Sequence, residues 1–274
     1  DVAALSAAQL QALSTAGINA LTTDQVVALS SAQTAALTTA QVAAFTTDQV
    51  VAMETGDLRA LSTAQIQALT TAHVAALTTA EVQALDTADV RALSTAQLAA
   101  LSTDQVAALT TAEVAALATS QFAGFGTDDI VALSTAQIAA LGSTQLAGLS
   151  TANVAALTTA QVVALGTAQI PGLTTAQIAA LSTDQVQALD TVDVAALSWS
   201  QAAALTTAQV VALTTSQIAA LPTMDLRSMG TAAVSVLTTD QIVALSTAHV
   251  AGLSTAQVAA LTTDSLVAME TQDI

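Results

Sequence analysis

The residues of this 274-residue sequence that could do chemistry are few and far apart. His73 and His249 are the only histidines, and both stand where a repeated motif otherwise has Gln. Because many repeats separate them, they cannot bind one metal ion or share a proton-transfer step. We interpret both as substituted helix-capping residues.

The basic residues are three arginines, and each follows an aspartate by two positions: Asp57–Arg59, Asp89–Arg91 and Asp225–Arg227. Residues two apart on a helix do not face each other. We therefore expect the aspartates to cap helices and the arginines to reach a neighbouring turn. Solvated surface pairs, which contribute little stability, are the simplest interpretation of these groups.

Two acidic neighbourhoods could offer oxygen ligands to Ca²⁺: Asp128–Asp129, and the group Asp48, Glu54 and Asp57. Neither has the spacing of an EF-hand loop, and neither contains the glycine-rich nonapeptide of calcium-binding β-helices. We therefore expect the protein to bind no calcium and to carry no cofactor.

Nucleophiles are also without partners in the sequence. Ser198 and Ser200 flank Trp199, the only tryptophan, but no base accompanies them in the pattern of a catalytic triad. The chain has no Cys and no Gly-rich phosphate loop. The sequence thus predicts no catalytic, cofactor-binding or metal-binding residue, a protein that is not an enzyme, and a surface position for Trp199.

Charge and hydropathy limit the partners. The formal net charge is −17, and no Lys is present, so the chain would repel the phosphates of nucleic acid. A polar group recurs every eight residues and leaves no apolar stretch long enough for a transmembrane helix. We expect neither nucleic-acid binding nor membrane insertion.

An eight-residue repeat, here called the octad, runs through the whole chain. Leu, Met or Phe occupies every eighth position from Leu5 to Met269, and Thr follows two places later in 30 of the 34 octads. The consensus is Leu-[Ser/Thr]-Thr-[Ala/Asp]-Gln-[Val/Ile]-x-Ala. Because no insertion or linker interrupts it, residues 1–274 are predicted to form a single continuous solenoid domain, a fragment of a longer array.

The even length of the repeat favours helices over strands. In a strand, Leu and the Val five places later would lie on opposite faces, so a β-solenoid is the weaker alternative. In a helix, that Val and the next Leu are three apart and share one face. The hydroxyl residue after Leu and the Gln three places later form a capping box, as in Ser62–Gln65, Thr110–Glu113 and, in weaker form, Asp86–Asp89.

The predicted fold is therefore an all-α solenoid of short capped helices, one per octad and each of roughly six or seven residues. We expect Leu and Val to be buried and Gln to be exposed at the caps. The two Ala positions should share another face, where small side chains allow close backbone approach.

A longer period is superimposed on the octads. Asp at the fourth place of the octad and Val at the seventh recur at intervals that fit multiples of ten-thirds, which indicates about 3.3 octads per superhelical turn. The alternative explanation is an ancestral duplication of ten octads, to which Phe45 and Phe125 point.

The two prolines test the register of the helices. Pro171 falls inside a predicted helix, where it lacks the N–H that bonds to the first turn, so this octad should have a shortened or 3₁₀-like helix. Leu173 should restore the register at once. Pro222 falls at a cap position, where no helical donor is lost, and should leave its helix unbroken.

Octads such as Leu-Thr-Thr-Asp-Gln-Val-Val-Ala-Leu at residues 21–29 resemble tandem repeats of large, low-complexity bacterial surface and secreted proteins. The resemblance covers the whole chain and implies an extended spacer or fibre. The same motif resembles the first residues of transcription-activator-like DNA-binding repeats. Those repeats are about four octads long on a basic scaffold, so the octad unit and the charge of −17 exclude DNA binding.

Three functions are compatible with these features. The first is a spacer, stalk or filament-forming segment of a bacterial extracellular or cell-surface protein, which could associate with itself end to end or laterally. The second is a protein- or glycan-binding solenoid whose face is the set Gln11, Arg59, Gln67, Gln83 and Arg91. The third is ice binding through aligned Thr, which we disfavour because the helix register places Thr beside the core.

Overall fold

The computed structural model describes residues 2–269, and within them every regular element is a short helix. The α-helices, α1–α31 in chain order, are Ala7–Gln11, Thr15–Asn19, Thr23–Val27, Ser31–Ala36, Thr39–Ala43, Thr47–Val51, Thr55–Ala60, Thr63–Ala68, Thr71–Ala76, Thr79–Val82, Thr87–Ala92, Thr95–Leu98, Thr103–Ala108, Thr111–Ala116, Thr127–Ala132, Thr135–Ala139, Ser143–Ala147, Thr151–Ala156, Thr159–Val163, Thr175–Ala180, Thr183–Ala188, Thr191–Ala195, Trp199–Ala203, Thr207–Ala212, Thr215–Ala220, Thr223–Ser228, Thr231–Ser235, Thr239–Val243, Thr247–Gly252, Thr255–Ala260 and Thr263–Ala268. Three 3₁₀-helices span Val2–Ala4, Thr119–Gly124 and Ile170–Gly172. The all-α prediction of one capped helix per octad is confirmed.

The octad determines where each helix begins and ends. In α13, the N-cap Ser102 has extended backbone (φ −75°, ψ 160°), and its hydroxyl accepts a hydrogen bond from the N–H of Gln105. The helix ends at Leu109, which returns to φ −56° and ψ 139° and leads into the next cap. Because no described residue has positive φ, the turns need no glycine. The α-helices have four to six residues, slightly fewer than predicted.

Helices three octads apart pack against each other. In the unit that ends at Ala140, α4 contacts α7 and α11 contacts α14; in the unit that begins at Leu141, α23 contacts α26. Side-chain hydrogen bonds, described below, reach back to the octad four earlier. One turn of either unit therefore takes between three and four octads. That one uninterrupted array spans both units remains a prediction.

The core of each unit consists of the Leu and Val positions. Val106 and Ile138 are completely buried, and Leu109 is 3% exposed. The exceptions belong to octads near the two ends: Leu5, Leu13, Leu21, Val250, Leu253 and Met269 are half-buried, and Val258 and Leu266 are exposed. The predicted burial of Leu and Val is otherwise confirmed.

The two Ala positions differ from each other. The Ala at the fourth place of the octad is exposed, as at Ala136, whereas the Ala at the eighth place is half-buried, as at Ala140. The eighth place packs against the third place of the octad three before it. A Cβ built on Gly124 would lie 2.6 Å from the carbonyl oxygen of Thr95. Only the eighth place thus forms the predicted close backbone contact.

Both expectations about proline are confirmed. The octad of Pro171 contains only the 3₁₀-helix Ile170–Gly172, and Leu173 is buried again at 4% exposure. Pro222 is the N-cap of a regular six-residue helix, Thr223–Ser228. The placement of the helix starts is therefore correct.

Gly172 gives a test of this local packing. A Cβ built there would lie 2.4 Å from the Cβ and 2.7 Å from the Cα of Ser143, so backbone would have to move. We expect Gly172→Ala to lower the free energy of unfolding by about 1–3 kcal/mol, as overpacking does. Urea denaturation measures this. The double variant Pro171→Ala/Gly172→Ala restores the consensus Ala-Ala and should recover most of the loss; a double variant as unstable as the single one would contradict the explanation.

Candidate functional site

The most organised polar feature of the protein is a row of buried glutamines at the fifth place of the octad. Gln105 and Gln137 are each 3% exposed, and Gln209 is 2% exposed. The prediction that these glutamines are exposed is therefore wrong. Their capping role is confirmed, but the same side chain has a second set of partners that buries it.

The amide oxygen of each glutamine serves its own helix. The Oε1 atom of Gln105 accepts a hydrogen bond from the backbone N–H of Ser102 at 2.7 Å, while the Ser102 hydroxyl accepts from the N–H of Gln105 at 3.3 Å. Two of the four N–H groups that a helix leaves without intrahelical partners are thus satisfied.

The amide nitrogen of the same glutamine serves the previous turn. The Nε2 atom of Gln105 donates to the backbone carbonyls of Val74 (3.0 Å), Ala75 (3.3 Å) and Leu77 (2.5 Å), which lie at the end of α9. These carbonyls are 28 to 31 residues earlier. One side chain therefore caps the start of its own helix and the end of the helix four octads before it.

The pattern repeats within each unit. In the first unit, Gln41 donates to the carbonyl of Leu13 at 2.9 Å, and Gln97 donates to that of Leu69 at 2.8 Å. In the second unit, Gln209 donates to the carbonyl of Leu181 at 2.7 Å. The row acts as a ladder of buried amides that joins successive turns.

His73 and His249 occupy this row and reproduce both functions of glutamine. The Nδ1 atom of His73 lies 3.2 Å from the backbone N of Thr70, and its Nε2 atom lies 2.8 Å from the carbonyl oxygen of Phe45. A neutral imidazole with the proton on Nε2 accepts the first bond and donates the second. The interpretation of His73 and His249 as capping residues is correct. Each also makes a second, buried hydrogen bond to a carbonyl of the previous turn.

Within residues 2–269, seven acidic residues also stand in the row: Asp57, Glu81, Asp89, Glu113, Asp129, Asp193 and Asp225. A carboxylate can accept the cap N–H, as Glu113 does from Thr110 at 2.6 Å, but it has no proton to donate to the previous turn. Burial raises the pKa of Asp89, Glu113, Asp193 and Asp225. Asp57 instead accepts a bond from the hydroxyl of Ser31 at 2.7 Å.

The predicted roles of the aspartate–arginine pairs are confirmed only in part. Asp89 accepts the cap N–H of Asp86 at 3.3 Å, whereas Asp57 makes no cap hydrogen bond, and both aspartates are buried rather than solvated. The Nε atom of Arg59 donates to the carbonyl of Ala84 at 2.9 Å on the next turn, as predicted. Polar side chains at the same place in other octads do likewise: Gln11 to Ala36, Asn19 to Ala44 and Gln187 to Ala212. Two members of the proposed binding face, Gln11 and Arg59, are therefore engaged within the fold.

The remaining candidates are dispersed. The Oδ2 atom of Asp129 accepts the N–H of Gly126 at 2.9 Å and so acts as a cap. Trp199 is 65% exposed, as predicted.

Across residues 2–269, no group of three His, Cys, Asp or Glu side chains is placed to hold a metal ion, and no helix is long and apolar enough to cross a membrane. The third-place Thr, expected beside the core, are mostly exposed at the first residue of each helix, as at Thr103 and Thr111.

The cap at Pro222 gives a second test. Pro222 has neither a hydroxyl nor an N–H, so α26 begins without a side-chain cap and the buried Asp225 has no cap donor. We expect Pro222→Ser to raise the free energy of unfolding by about 0.5–2 kcal/mol, the usual contribution of an N-cap. Thermal denaturation measures this. Thr214→Pro, which removes a working cap from the preceding octad, should have the opposite sign; equal effects of the two variants would contradict the role of the cap.

The fold and its row of amides define a helical tandem-repeat protein in which the repeat itself is the organised site. The ALTTAQ repeat family matches the chain in nine segments, residues 1–31, 26–53, 50–87, 82–119, 122–159, 154–191, 186–223, 219–253 and 242–271. The chain belongs to the ALTTAQ repeat family. Comparison with curated proteins finds no match.

Proposed function

We propose that this chain is a structural element, a spacer, stalk or filament-forming segment of a bacterial extracellular or cell-surface protein. The observation that supports this is the ladder of buried amides. The fifth-place glutamine holds its own cap and an earlier turn, as Gln105 does with Ser102 and Leu77. Such a side chain is unavailable for a ligand, and its bonds couple each turn to the next.

Small-angle X-ray scattering tests the extended shape that a spacer requires. A compact domain of this length would have a radius of gyration of about 19 Å. We expect a clearly larger value and a distance distribution with a long tail. A value near that of a compact domain would refute the spacer. Antibody labelling of intact against permeabilised source cells separately tests the surface location, and sedimentation at several concentrations tests self-association.

Ice binding is a second candidate function, because the third-place Thr do not lie beside the core as the helix register had suggested. The Thr at the third place of the octad are exposed rather than packed beside the core, as at Thr103 and Thr111. Thermal hysteresis of the purified chain decides this. A freezing-point depression above that of an equally concentrated control protein, abolished by Thr→Val changes along consecutive octads, would support it. No hysteresis would exclude it.

A further inference from the structure

Glu113 stands in the amide ladder but lacks the amide. It has the same length as glutamine, it is 3% exposed, and its Oε2 atom accepts the N–H of Thr110 at 2.6 Å as a glutamine Oε1 does. By the spacing of 28 and 31 residues that the glutamines show, the carbonyls available to its other oxygen are those of Leu85 and Val82. An ionised carboxylate would place an acceptor against acceptors there.

The neighbouring glutamines show what this position requires. Gln105 and Gln121 both donate to the Leu carbonyl 28 residues earlier, at 2.5 and 2.7 Å, and both hold a cap N–H. His73 meets the same two requirements with its two ring nitrogens. Gln105, Gln121 and His73 thus each combine one acceptor and one donor at this place, and a protonated carboxyl is also such a group.

We propose that Glu113 is a proton-binding site of the solenoid, in which the bound proton forms the missing hydrogen bond from the carboxyl to the carbonyl oxygen of Leu85. The proton comes from water, and no covalent bond other than O–H is formed or broken. In the protonated state Oε2 continues to accept the Thr110 N–H, and Oε1–H takes the place of a glutamine N–H. Acidification therefore tightens this turn against the previous one.

The charged groups around Glu113 agree with proton uptake. On the side of α11, Asp86 at the cap and Asp89 are negative, and Arg91 is the one positive group. Glu81 lies on α10, which ends at Val82, and the Leu85 carbonyl follows that helix. Asp104 is exposed on the preceding α13, and α16 on the other side has no titratable residue. Burial raises the pKa of Glu113 more than the hydrogen bonds from Thr110 lower it, and the Asp86 charge raises it further.

The direction of the stability change follows from this. A folded-state pKa above that of the unfolded chain means that the folded protein binds the proton more tightly. The stability contributed by Glu113 therefore increases as the pH falls from neutral through its folded-state pKa. The increase is complete below the ordinary glutamate value of 4.5.

The variant Glu113→Gln carries the donor permanently and restores the residue that the repeat normally has, so it should fold. We expect it to raise the thermal midpoint at pH 7 by about 2–4 °C and to have almost no effect at pH 4. Asp104→Asn is the matched control, because it removes one negative charge from an exposed position in the preceding octad. It should not reproduce the pH-dependent difference.

Nuclear magnetic resonance of [¹³Cδ]glutamate-labelled protein gives the direct test. The Glu113 resonance is identified by its loss in Glu113→Gln, and its titration midpoint should be higher in the folded protein than in urea. A titration midpoint of Glu113 that is equal or lower in the folded protein than in urea would overturn the proposal. A thermal midpoint of Glu113→Gln no higher than that of the parent protein at pH 7 would overturn it as well. A resonance that shifts with added CaCl₂ at fixed pH would also overturn it, since a cation would then occupy the position.

Discussion

Replacing Gln105 by leucine is expected to lower the free energy of unfolding by about 2–5 kcal/mol, because buried polar groups left without partners cost about 1–3 kcal/mol each. The change leaves the Ser102 N–H without its acceptor and the Leu77 carbonyl without the Gln105 donor, while the Val74 carbonyl keeps only the N–H of Leu77. Leucine is of similar size and more apolar, so its own burial offsets only part of this cost.

The control for this change comes from the chain itself. Gln105→His places there the residue that His73 provides one turn earlier, and its two ring nitrogens can replace both atoms of the amide. We expect a cost below about 1 kcal/mol, close to that of many tolerated substitutions. Urea unfolding of both variants, followed by circular dichroism, measures the difference. If leucine is tolerated as well as histidine, the bonds of the ladder contribute nothing to stability.

The helices, their caps and their core could be predicted from the sequence because each depends on residues close together in the chain. The capping box joins residues three apart, and the Val–Leu stripe joins residues on one helix face. Even a weak version was detectable: Asp86 and Asp89 form a capping box in α11. Pro171 likewise acts within its own octad.

The burial of glutamine was missed because the capping box explains only half of its side chain. A cap on an isolated helix faces solvent, and that expectation was carried over to every octad. A signal did exist in the substitutions. Glu, Asp, Asn, His and Ser, all able to accept a hydrogen bond, account for every replacement of Gln at the fifth place except Gly17 and Ala233, whereas the seventh place varies more widely, with Ala, Val, Gln and Arg among its residues. Such restriction is typical of a buried polar partner.

The identity of the inter-turn partners could not be predicted from the repeat. Every octad offers the same carbonyls, so a glutamine could in principle bond to an octad three, four or five before it. Which octad the glutamine reaches depends on the angle between the axes of successive helices. That angle is set by the extended backbone of the Leu and N-cap residues that join them. The periodic Asp and Val gave the approximate turn of between three and four octads but not the atoms that join one turn to the next.

The 3₁₀-helix Thr119–Gly124 was also not predicted, although its octad departs from the consensus four times. Ala118 provides no cap hydroxyl, Ser120 replaces Ala or Asp, Phe122 replaces Val, and Gly124 replaces Ala. The absence of a Cβ at Gly124 leaves room for the Thr95 carbonyl. Gln121 still accepts the Ala118 N–H at 2.7 Å and donates to the Leu93 carbonyl at 2.7 Å, so the ladder continues through the irregular octad.

Phe122 is the largest completely buried side chain of the described core, at 1% exposure, and its ring packs against that of Phe125 with centroids 5.7 Å apart and planes tilted by 42°. Phe122→Ala is expected to lower the free energy of unfolding by about 3–5 kcal/mol, the sum of lost apolar burial and the cavity that remains. The neighbouring ladder bonds limit how far the turn can collapse into that cavity.

Phe122→Leu is the matched control, because Leu98 and Leu146 fill the same place in other octads with complete burial. It removes the ring pair and part of the volume but leaves an aliphatic core residue that the octad accommodates. We expect a cost of about 1–2 kcal/mol, of which the aromatic pair accounts for up to about 1.5 kcal/mol. Thermal and urea denaturation of the three proteins give the comparison. A cost for alanine no greater than that for leucine would mean that the turn closes over the missing ring, and that the ladder is less rigid than its hydrogen bonds indicate.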